Sequence, residues 1–201
     1  DPKPDRVEEA LPKADIEELK NFQKNMKGQL QKILDGSYEK RAIVTLPTGA
    51  GKTRVAVEAI VDHLNKNGTD KNILWIAQSQ EVCEQAVLCF KQIWEKNGRG
   101  GPLNIFRVWG NNAIPSTDEH GIIVGGFQKL VSKKDELHRI ADYDSLSAVF
   151  IDEAHHSVAK SYGTILESIG MSPFVDGEHE NDSKIPLIGL TATPERSNNT
   201  E

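Results

Sequence analysis

Hydrophobic residues follow two alternating patterns along most of the chain. Between residues 13 and 34 they recur every three or four positions, which predicts an amphipathic helical region with a possible break near Gly28. Short apolar runs then alternate with stretches of helical period. The predicted strands are 42–46, 73–77, 105–109, 122–124, 148–151 and 187–190. The predicted helices between them include one after residue 53, one over 79–94, two short ones within 127–143 and one over 160–169.

Strands that are apolar on both faces and alternate with helices indicate an α/β fold, with a mainly parallel sheet between helical layers. Ligands bind beyond the carboxyl ends of the strands in such sheets, so residues that follow a strand are the candidates for chemistry. Residues 1–12 are rich in proline and charge, which predicts a tail or linker, with one domain over 13–201. Because the first residue is Asp rather than Met, we expect a piece of a longer protein.

Composition narrows the classes of function. The net charge of −6 argues against a protein that binds nucleic acid through a broad basic face. No apolar run reaches the roughly 18 residues of a membrane helix, so we expect no membrane partner. The cysteines, Cys83 and Cys89, form no disulfide framework, and the scattered histidines lack the spacing of a zinc site. We therefore expect a cytoplasmic protein, nucleoid-associated or nuclear if it acts on chromosomal DNA.

A glycine-containing turn follows the first buried strand and leads into a helix. Its sequence is Pro47-Thr48-Gly49-Ala50-Gly51-Lys52-Thr53. The glycines let successive backbone N–H groups face phosphate oxygens, and the helix N-terminus adds partial positive charge. We expect Thr48, Gly49, Ala50, Gly51, Lys52 and Thr53 to bind ATP. In such a loop the lysine reaches the terminal phosphates and the threonine hydroxyl ligates Mg²⁺, although Leu46 stands where the general pattern has its first glycine.

Two adjacent carboxylates end a later apolar strand. Asp152 and Glu153 follow the apolar run 148–151. Asp152 lies 100 residues after Lys52. A strand that ends in paired acids is the expected second half of a phosphate-loop site. We expect Asp152 to hold Mg²⁺ and Glu153 to orient or deprotonate the attacking water. Together with Lys52, these residues are the predicted catalytic set.

A third strand end carries Thr191-Ala192-Thr193-Pro194. The ordered set GAGKT, DEAH and TATP resembles motifs I, II and III of superfamily 2 helicases, and the match extends from Leu19 to Pro194. This resemblance implies a RecA-like P-loop fold, the first of two such domains. The run FIDEAHHSVAKSY, residues 150–162, is most similar to type III restriction subunits and related DNA repair translocases.

The resemblance also implies residue roles in coupling and base recognition. His155, Thr191 and Thr193 would link the ATP site to the nucleic-acid groove. Phe22 and Gln23, the latter 29 residues before Lys52, would read the adenine, with a surface position of Gln23 as the alternative.

Two further motifs resemble nucleic-acid-facing segments of the family. One spans residues 73–77 and continues toward Gln85, and the other spans 124–130, with Gly125 and Gly126 where a threonine is more usual. We expect Ser79 and Gln128 to contact nucleic acid. Helix capping explains Ser79 equally well.

The implied function is ATP hydrolysis coupled to movement on nucleic acid, with duplex DNA favoured. An RNA helicase and an ATP-dependent switch or scaffold that does not translocate both stay open. The second RecA-like domain, which supplies an arginine finger, is absent from these residues. Because such a finger contributes on the order of 10³–10⁵ in rate, we expect the isolated domain to be nearly inactive. The acidic stretch Asp176–Asp182 reads as a solvated loop with no assigned function.

Overall fold

The computed structural model describes residues 7–10, 17–37, 39–47, 49–140, 145–154, 162–172 and 185–193. Within these ranges a seven-stranded sheet is covered by helices on both faces. In chain order the elements are β1 (Val7–Ala10), α1 (Asn21–Leu34), β2 (Arg41–Pro47), α2 (Lys52–Asn67), β3 (Asn72–Ala77), α3 (Gln80–Asn97), β4 (Leu103–Val108), β5 (Ile122–Gly126), α4 (Phe127–Ser132), a 3₁₀ helix (Lys134–Arg139), β6 (Leu146–Asp152), α5 (Gly163–Ser168) and β7 (Leu187–Thr193).

The order of strands across the sheet is β1-β4-β5-β3-β6-β7-β2. The six strands from β4 to β2 run parallel, which confirms the mainly parallel α/β sheet. The expectation of a tail or linker over residues 1–12 is wrong for residues 7–10, because they form β1, antiparallel to β4. This pairing satisfies backbone hydrogen-bonding groups on the outer edge of β4. The composition of residues 1–12 does not predict such pairing.

Each face of the sheet packs against its own group of helices. Alternate residues of a strand point to opposite faces, so Trp75 of β3 faces α1, α2 and α3 whereas Leu74 faces α4, the 3₁₀ helix and α5. The Trp75 ring stacks on Phe150 of β6 and meets Phe90 of α3 edge-on, each with a centroid separation of 5.6 Å. These contacts tie β3, β6 and α3 into one core layer.

The first helix is shorter than its periodicity predicts. It begins at Asn21 because Lys20 is extended, and the side chain of Gln23 accepts a hydrogen bond from the Lys20 N–H at 2.8 Å, which caps the first turn. The expected break near Gly28 is absent, since burial of Leu30 and Ile33 keeps the helix continuous. No helix in the described part of the chain has the length and hydrophobicity needed to cross a membrane.

A buried ion pair joins β4 to α3. The guanidinium of Arg107 donates from Nε to Oε2 of Glu84 at 2.9 Å and from a terminal nitrogen to Oε1 at 2.7 Å. The Arg107 side chain is only 2% exposed, whereas that of Glu84 is 30% exposed. The buried charge is therefore the cation, and the bidentate carboxylate facing it compensates that charge.

This asymmetry makes Glu84→Gln more damaging than Arg107→Met. We expect Glu84→Gln to lower the free energy of unfolding by about 3 kcal/mol, because a buried guanidinium then faces a neutral amide. Arg107→Met should cost less, since water can reach the remaining carboxylate. Urea unfolding followed by tryptophan fluorescence measures both. Glu136→Gln, in the exposed pair with Lys133, should leave the midpoint unchanged, and equal small shifts for all three variants would contradict this account.

Candidate functional site

Three neighbouring strands bring the predicted site residues to one edge of the sheet. The glycine-containing loop follows β2, the paired acids end β6, and β7 lies between these strands with parallel pairing on both sides. Asp152 is level with Leu190 of β7, and Thr191 is level with Thr45 of β2. All three carboxyl ends therefore open on the same side, where ligands bind in parallel α/β sheets.

The loop after β2 owes its shape to two glycines. Gly49 and Gly51 have φ angles of 74° and 75°, in the left-handed region that side chains disfavour. Ala50 donates its N–H to the Pro47 carbonyl at 3.0 Å, which closes the turn. Leu46, at the position of the missing first glycine, is buried in β2 and takes no part in the turn. Thr48 lies outside the described residues.

Asp152 is a buried carboxylate at the end of β6. It is 2% exposed, its Oδ1 accepts a hydrogen bond from the Glu153 N–H at 3.0 Å, and the side chain of Thr53 hydrogen-bonds to it. Burial is the main cause that raises the pKa of Asp152 from its ordinary value of 3.8 to about 6; the charge of Lys52 opposes the rise and the charge of Glu153 adds to it. The raised pKa indicates that nearby positive charge does not fully compensate the Asp152 carboxylate. Together with the Thr53 hydroxyl, this carboxylate offers hard oxygen ligands, which suit Mg²⁺.

Glu153 adopts a strained backbone conformation. Its φ of 58° makes it the one non-glycine residue in the described part of the chain with a positive φ. The next residue, Ala154, donates its N–H to the carbonyl of Leu190 at 2.8 Å, so the chain turns sharply while staying attached to β7. This turn directs the Glu153 carboxylate to Nζ of Lys52, with which it forms an ion pair. Strain of this kind is typical of functional positions.

Lys52, Thr53, Asp152 and Glu153 together form what we call the loop–acid site. The ion pair of Lys52 with Glu153 and the hydrogen bond of Thr53 with Asp152 join the start of α2 to the end of β6. The Lys52 ammonium and the Thr53 hydroxyl thus face the carboxylates of Glu153 and Asp152 across the end of β7. The arrangement has the groups needed to bind a phosphate and a divalent cation side by side.

Gln23 of α1 packs against the loop. Its Nε2 donates to the carbonyl of Ala50 at 2.9 Å, and a Cβ at Gly51 would come within 2.9 Å of that same nitrogen. Gln23 is 9% exposed, so the alternative of a surface position is wrong. Its neighbour in α1, Phe22, is 47% exposed.

The threonines of the third motif end β7. Thr191 and Thr193 pair in register with Thr45 and Pro47 of β2, so the backbone of this motif runs between the glycine loop and the paired acids. His155, the other residue with an expected coupling role, lies outside the described residues. The structure therefore brings the side chains of the first and second motifs into contact, and the strand of the third motif, β7, lies between the strands that carry them.

A second feature is a surface groove beyond the carboxyl ends of β3, β4 and β5, which we call the β3–β5 groove. Its lining residues are Gln78, Gln80, Trp109, Gly110, Gly126, Gln128, Lys129 and Ser132. Of the expected nucleic-acid residues, Gln128 lines this groove. The Ser79 hydroxyl instead accepts the Val82 N–H at 3.3 Å, so helix capping describes its contact.

Sequence reasoning did not single out Gln78, Gln80, Trp109 or Lys129 as site residues. Gln78 and Trp109 directly follow strands and Gln80 begins α3, which is their only signal, whereas Lys129 lies within the motif at 124–130. The Nζ of Lys129 donates to the Gly110 carbonyl at 2.9 Å, which joins α4 to the turn after β4. The positive ammonium is thereby held at one side of the groove.

The two glycines at the end of β5 are explained by packing. A Cβ on Gly125 would approach the Leu130 side chain to 2.6 Å, and one on Gly126 would approach Cβ of Trp109 to 3.1 Å. A threonine at either position therefore requires its neighbours to move. This chain departs from the more usual family pattern because Leu130 and Trp109 fill the space.

One family of known proteins matches nearly the whole chain. Residues 9–196 match the family described as "Type III restriction enzyme, res subunit". The chain belongs to this family. The predicted resemblance to superfamily 2 helicases, through a first RecA-like domain, is thereby confirmed.

Several relatives of this chain are helicases by name. It is 32% identical over 164 residues to the putative ATP-dependent helicase IRC3 of Saccharomyces cerevisiae, covering 79% of this chain and 21% of that protein. It is 27% identical over 194 residues to the ATP-dependent DNA helicase Hel308 of Methanocaldococcus jannaschii, covering 94% and 15%. The chain thus spans about a fifth or less of the length of these two relatives.

Solved helicase structures share the fold of this chain. The UvsW helicase from bacteriophage T4 superposes with a TM-score of 0.57 at 19% identity, over 91% of this chain and 55% of that one. The Pyrococcus furiosus Hef helicase domain gives a TM-score of 0.57 at 22% identity, over 86% and 32%. These similarities confirm the RecA-like α/β architecture.

The buried carboxylate makes the stability of the domain dependent on pH. Because the pKa of Asp152 is raised to about 6, the folded state binds this proton more tightly than the unfolded state does. The stabilising effect of protonation is complete below pH 4 and lost as the pH rises through 6. We therefore expect Asp152→Asn to raise the free energy of unfolding by about 1–3 kcal/mol at pH 8 and to change little at pH 4.

Urea unfolding at these two pH values measures the effect. Asp70→Asn, at an exposed position between α2 and β3, is the matched control and should be neutral at both. A gain from Asp152→Asn that is the same at both pH values would contradict the assignment of the effect to a buried carboxylate.

Proposed function

We propose that this domain binds ATP with Mg²⁺ at the loop–acid site and hydrolyses it in a nucleic-acid-dependent helicase or translocase. The observation that carries the proposal is the contact of Lys52 with Glu153 and of Thr53 with Asp152, made by residues about 100 apart in the sequence. Family membership and the helicase relatives support it independently.

Lys52 serves as the phosphate-binding cation. Its ammonium already contacts a carboxylate, and a terminal phosphate bound over the loop would compete with Glu153 for it. Gly49, Ala50 and Gly51, with Thr48 before them, supply the backbone N–H groups of the cradle. Release of the Glu153 carboxylate from Lys52 would let it orient the attacking water and accept its proton.

Asp152 and Thr53 would hold Mg²⁺. Both are oxygen donors, and they already share a hydrogen bond at the end of β6. A divalent cation would also compensate the buried carboxylate, whose ionised form is otherwise disfavoured there. When bound, the ion neutralises negative charge on the phosphates.

The adenine would be bound beside α1. Phe22 exposes its ring and precedes Gln23, whose amide is engaged by Lys20 and Ala50. We infer that Phe22 stacks on the base and that Gln23 acts mainly by fixing the loop. Thr191, Thr193 and His155 would transmit changes at this site to the bound nucleic acid.

Nucleic acid would lie along the β3–β5 groove. The lining is polar and nearly uncharged, with Gln78, Gln80 and Gln128 around Lys129, and α3 begins at the same place. Amides, a helix N-terminus and one ammonium can contact phosphates without a basic face, which suits a net charge of −6.

Duplex DNA is the proposed substrate class, supported by the similarity of residues 150–162 to DNA translocases and by a relative named as a DNA helicase. A second RecA-like domain would close the nucleotide site from the other side. The proposed location is cytoplasmic, or nuclear or nucleoid-associated where the substrate is chromosomal.

Nucleotide binding by the chain tests the loop–acid site directly. We expect Lys52→Ala to weaken binding of a fluorescent ATP analogue with Mg²⁺ by about 10–100-fold, because a charge-assisted contact contributes roughly 1.5–3 kcal/mol. Glu153→Gln should retain binding, since the amide keeps the shape and removes a competitor for Lys52. The matched controls are Lys71→Ala and Glu167→Gln, both at exposed positions, and should behave as wild type. Unchanged affinity in Lys52→Ala would exclude this site.

Substrate class is tested by ATP turnover in the full-length protein that carries the domain. We expect duplex DNA to stimulate turnover more than single-stranded DNA or RNA at fixed salt. Glu153→Gln should reduce the stimulated rate by roughly 10²–10⁴, the usual contribution of a general base. Stimulation by RNA alone would establish an RNA helicase instead, and nucleotide binding without stimulation by any of the three would favour a switch or scaffold.

A further inference from the structure

A buried tyrosine lies between the β3–β5 groove and the strand that carries Asp152. Tyr162 precedes α5, ten residues after Asp152, and its side chain has no exposed surface. Its hydroxyl accepts a hydrogen bond from Nε2 of Gln78 at 2.6 Å. Its ring meets the ring of Phe127 edge-to-face, with centroids 5.0 Å apart and planes at 80°. Three segments that are distant in sequence thus meet at one side chain.

The position of β3 in the sheet explains why these contacts of Tyr162 can connect the two sites. β3 lies between β6, which ends in the paired acids, and β5, which leads into α4. Gln78 is the first residue after β3, and it lines the groove beside Gln128, the residue that follows Phe127. Tyr162 therefore contacts Gln78, which lines the groove, and Phe127, which precedes the lining residue Gln128.

The carboxylates of the loop–acid site act on this tyrosine electrostatically. Burial raises the pKa of Tyr162 to about 12, and the charges of Asp152 and Glu153 contribute to the rise. The phenol is therefore neutral at physiological pH, and its hydrogen bond joins the buried Tyr162 hydroxyl to the exposed Gln78 side chain. The Gln78 side chain, at an exposed position, is held in place by this bond.

We propose that Tyr162 is a positioning residue that couples nucleotide binding at the loop–acid site to nucleic-acid binding in the β3–β5 groove, a role that rests on the function proposed above. A shift at the end of β6, where Ile151 and Ala154 belong to the same core cluster as Tyr162, would move the Tyr162 hydroxyl and ring. Gln78 would then move through the hydrogen bond and the start of α4 through Phe127, so both sides of the groove would respond.

Two substitutions can distinguish a role of Tyr162 in coupling from a role in stability. Tyr162→Phe keeps the ring and its contact with Phe127 but removes the hydroxyl, and Gln78→Leu removes the donor at an exposed position. A tyrosine that only filled space would tolerate the first change without effect on ligand binding. If the hydrogen bond transmits the coupling, either change should interrupt it to the same extent.

The test measures linkage between two ligands in the full chain. The affinity for a labelled DNA duplex is determined with and without a non-hydrolysable ATP analogue and Mg²⁺, and the ratio of the two dissociation constants is the coupling factor. We expect a factor of about 5 or more in the wild type. Tyr162→Phe and Gln78→Leu should each bring it to within about twofold of one. In Tyr162→Phe, the affinity for the nucleotide alone and the melting temperature should stay near those of wild type, whereas Gln78→Leu also removes a groove residue and is compared only through the coupling factor.

The double variant Tyr162→Phe/Gln78→Leu completes the cycle. It should show the same coupling factor as either single variant, because both remove one bond. Gln31→Leu is the matched control, since it removes a glutamine hydrogen bond to Asp62 that joins α1 to α2 and involves no residue of either site, and it should retain the wild-type factor.

Three results would overturn the proposal. They are wild-type coupling in Tyr162→Phe, independent additive losses in the double variant, and a wild-type chain that binds nucleotide yet shows no coupling or no DNA binding. A wild-type chain that does not bind the nucleotide would instead refute the proposed function itself.

Discussion

Lys52 and the carboxylates of Asp152 and Glu153 meet at the end of β7, which lies between the strand of the glycine loop and the strand of the acids. Holding them there is unfavourable in two ways, because Asp152 is buried and Glu153 has a left-handed backbone. The rest of the sheet must stabilise this edge. It does so with strands that are apolar on both faces, so the cost at the edge is offset by burial in the core.

The central strand β3 connects this edge to the groove. Trp75 fixes β3 against Phe150 of β6 and Phe90 of α3 by ring contacts, so β3, the strand of the acids and the helix that begins at the groove form one rigid unit. Movement between the two regions must therefore occur in the segments beyond the strand ends. The contact of Gln78 with Tyr162 joins two such segments.

The acidic charge of the chain and the polar groove are consistent with each other. A net charge of −6 opposes non-specific attraction of nucleic acid, so affinity must come from a few oriented groups. The groove offers amides, the start of α3 and Lys129, whose ammonium is held by the Gly110 carbonyl. Packing also explains the glycines of β5, since Leu130 and Trp109 occupy the space that a side chain there requires.

Local patterns in the sequence were sufficient for the alternation of strands and helices, the parallel sheet, and the pairing of the loop at Gly49 and Gly51 with the acids after β6. These features depend on short-range signals: apolar period, glycine spacing and residues at strand ends. Only the tertiary structure decided that residues 7–10 pair with β4, that Glu84 neutralises Arg107, and that Tyr162 reaches Gln78. Each of these contacts joins residues 23 or more positions apart, and no local pattern specifies which distant backbone or side chain will become the partner.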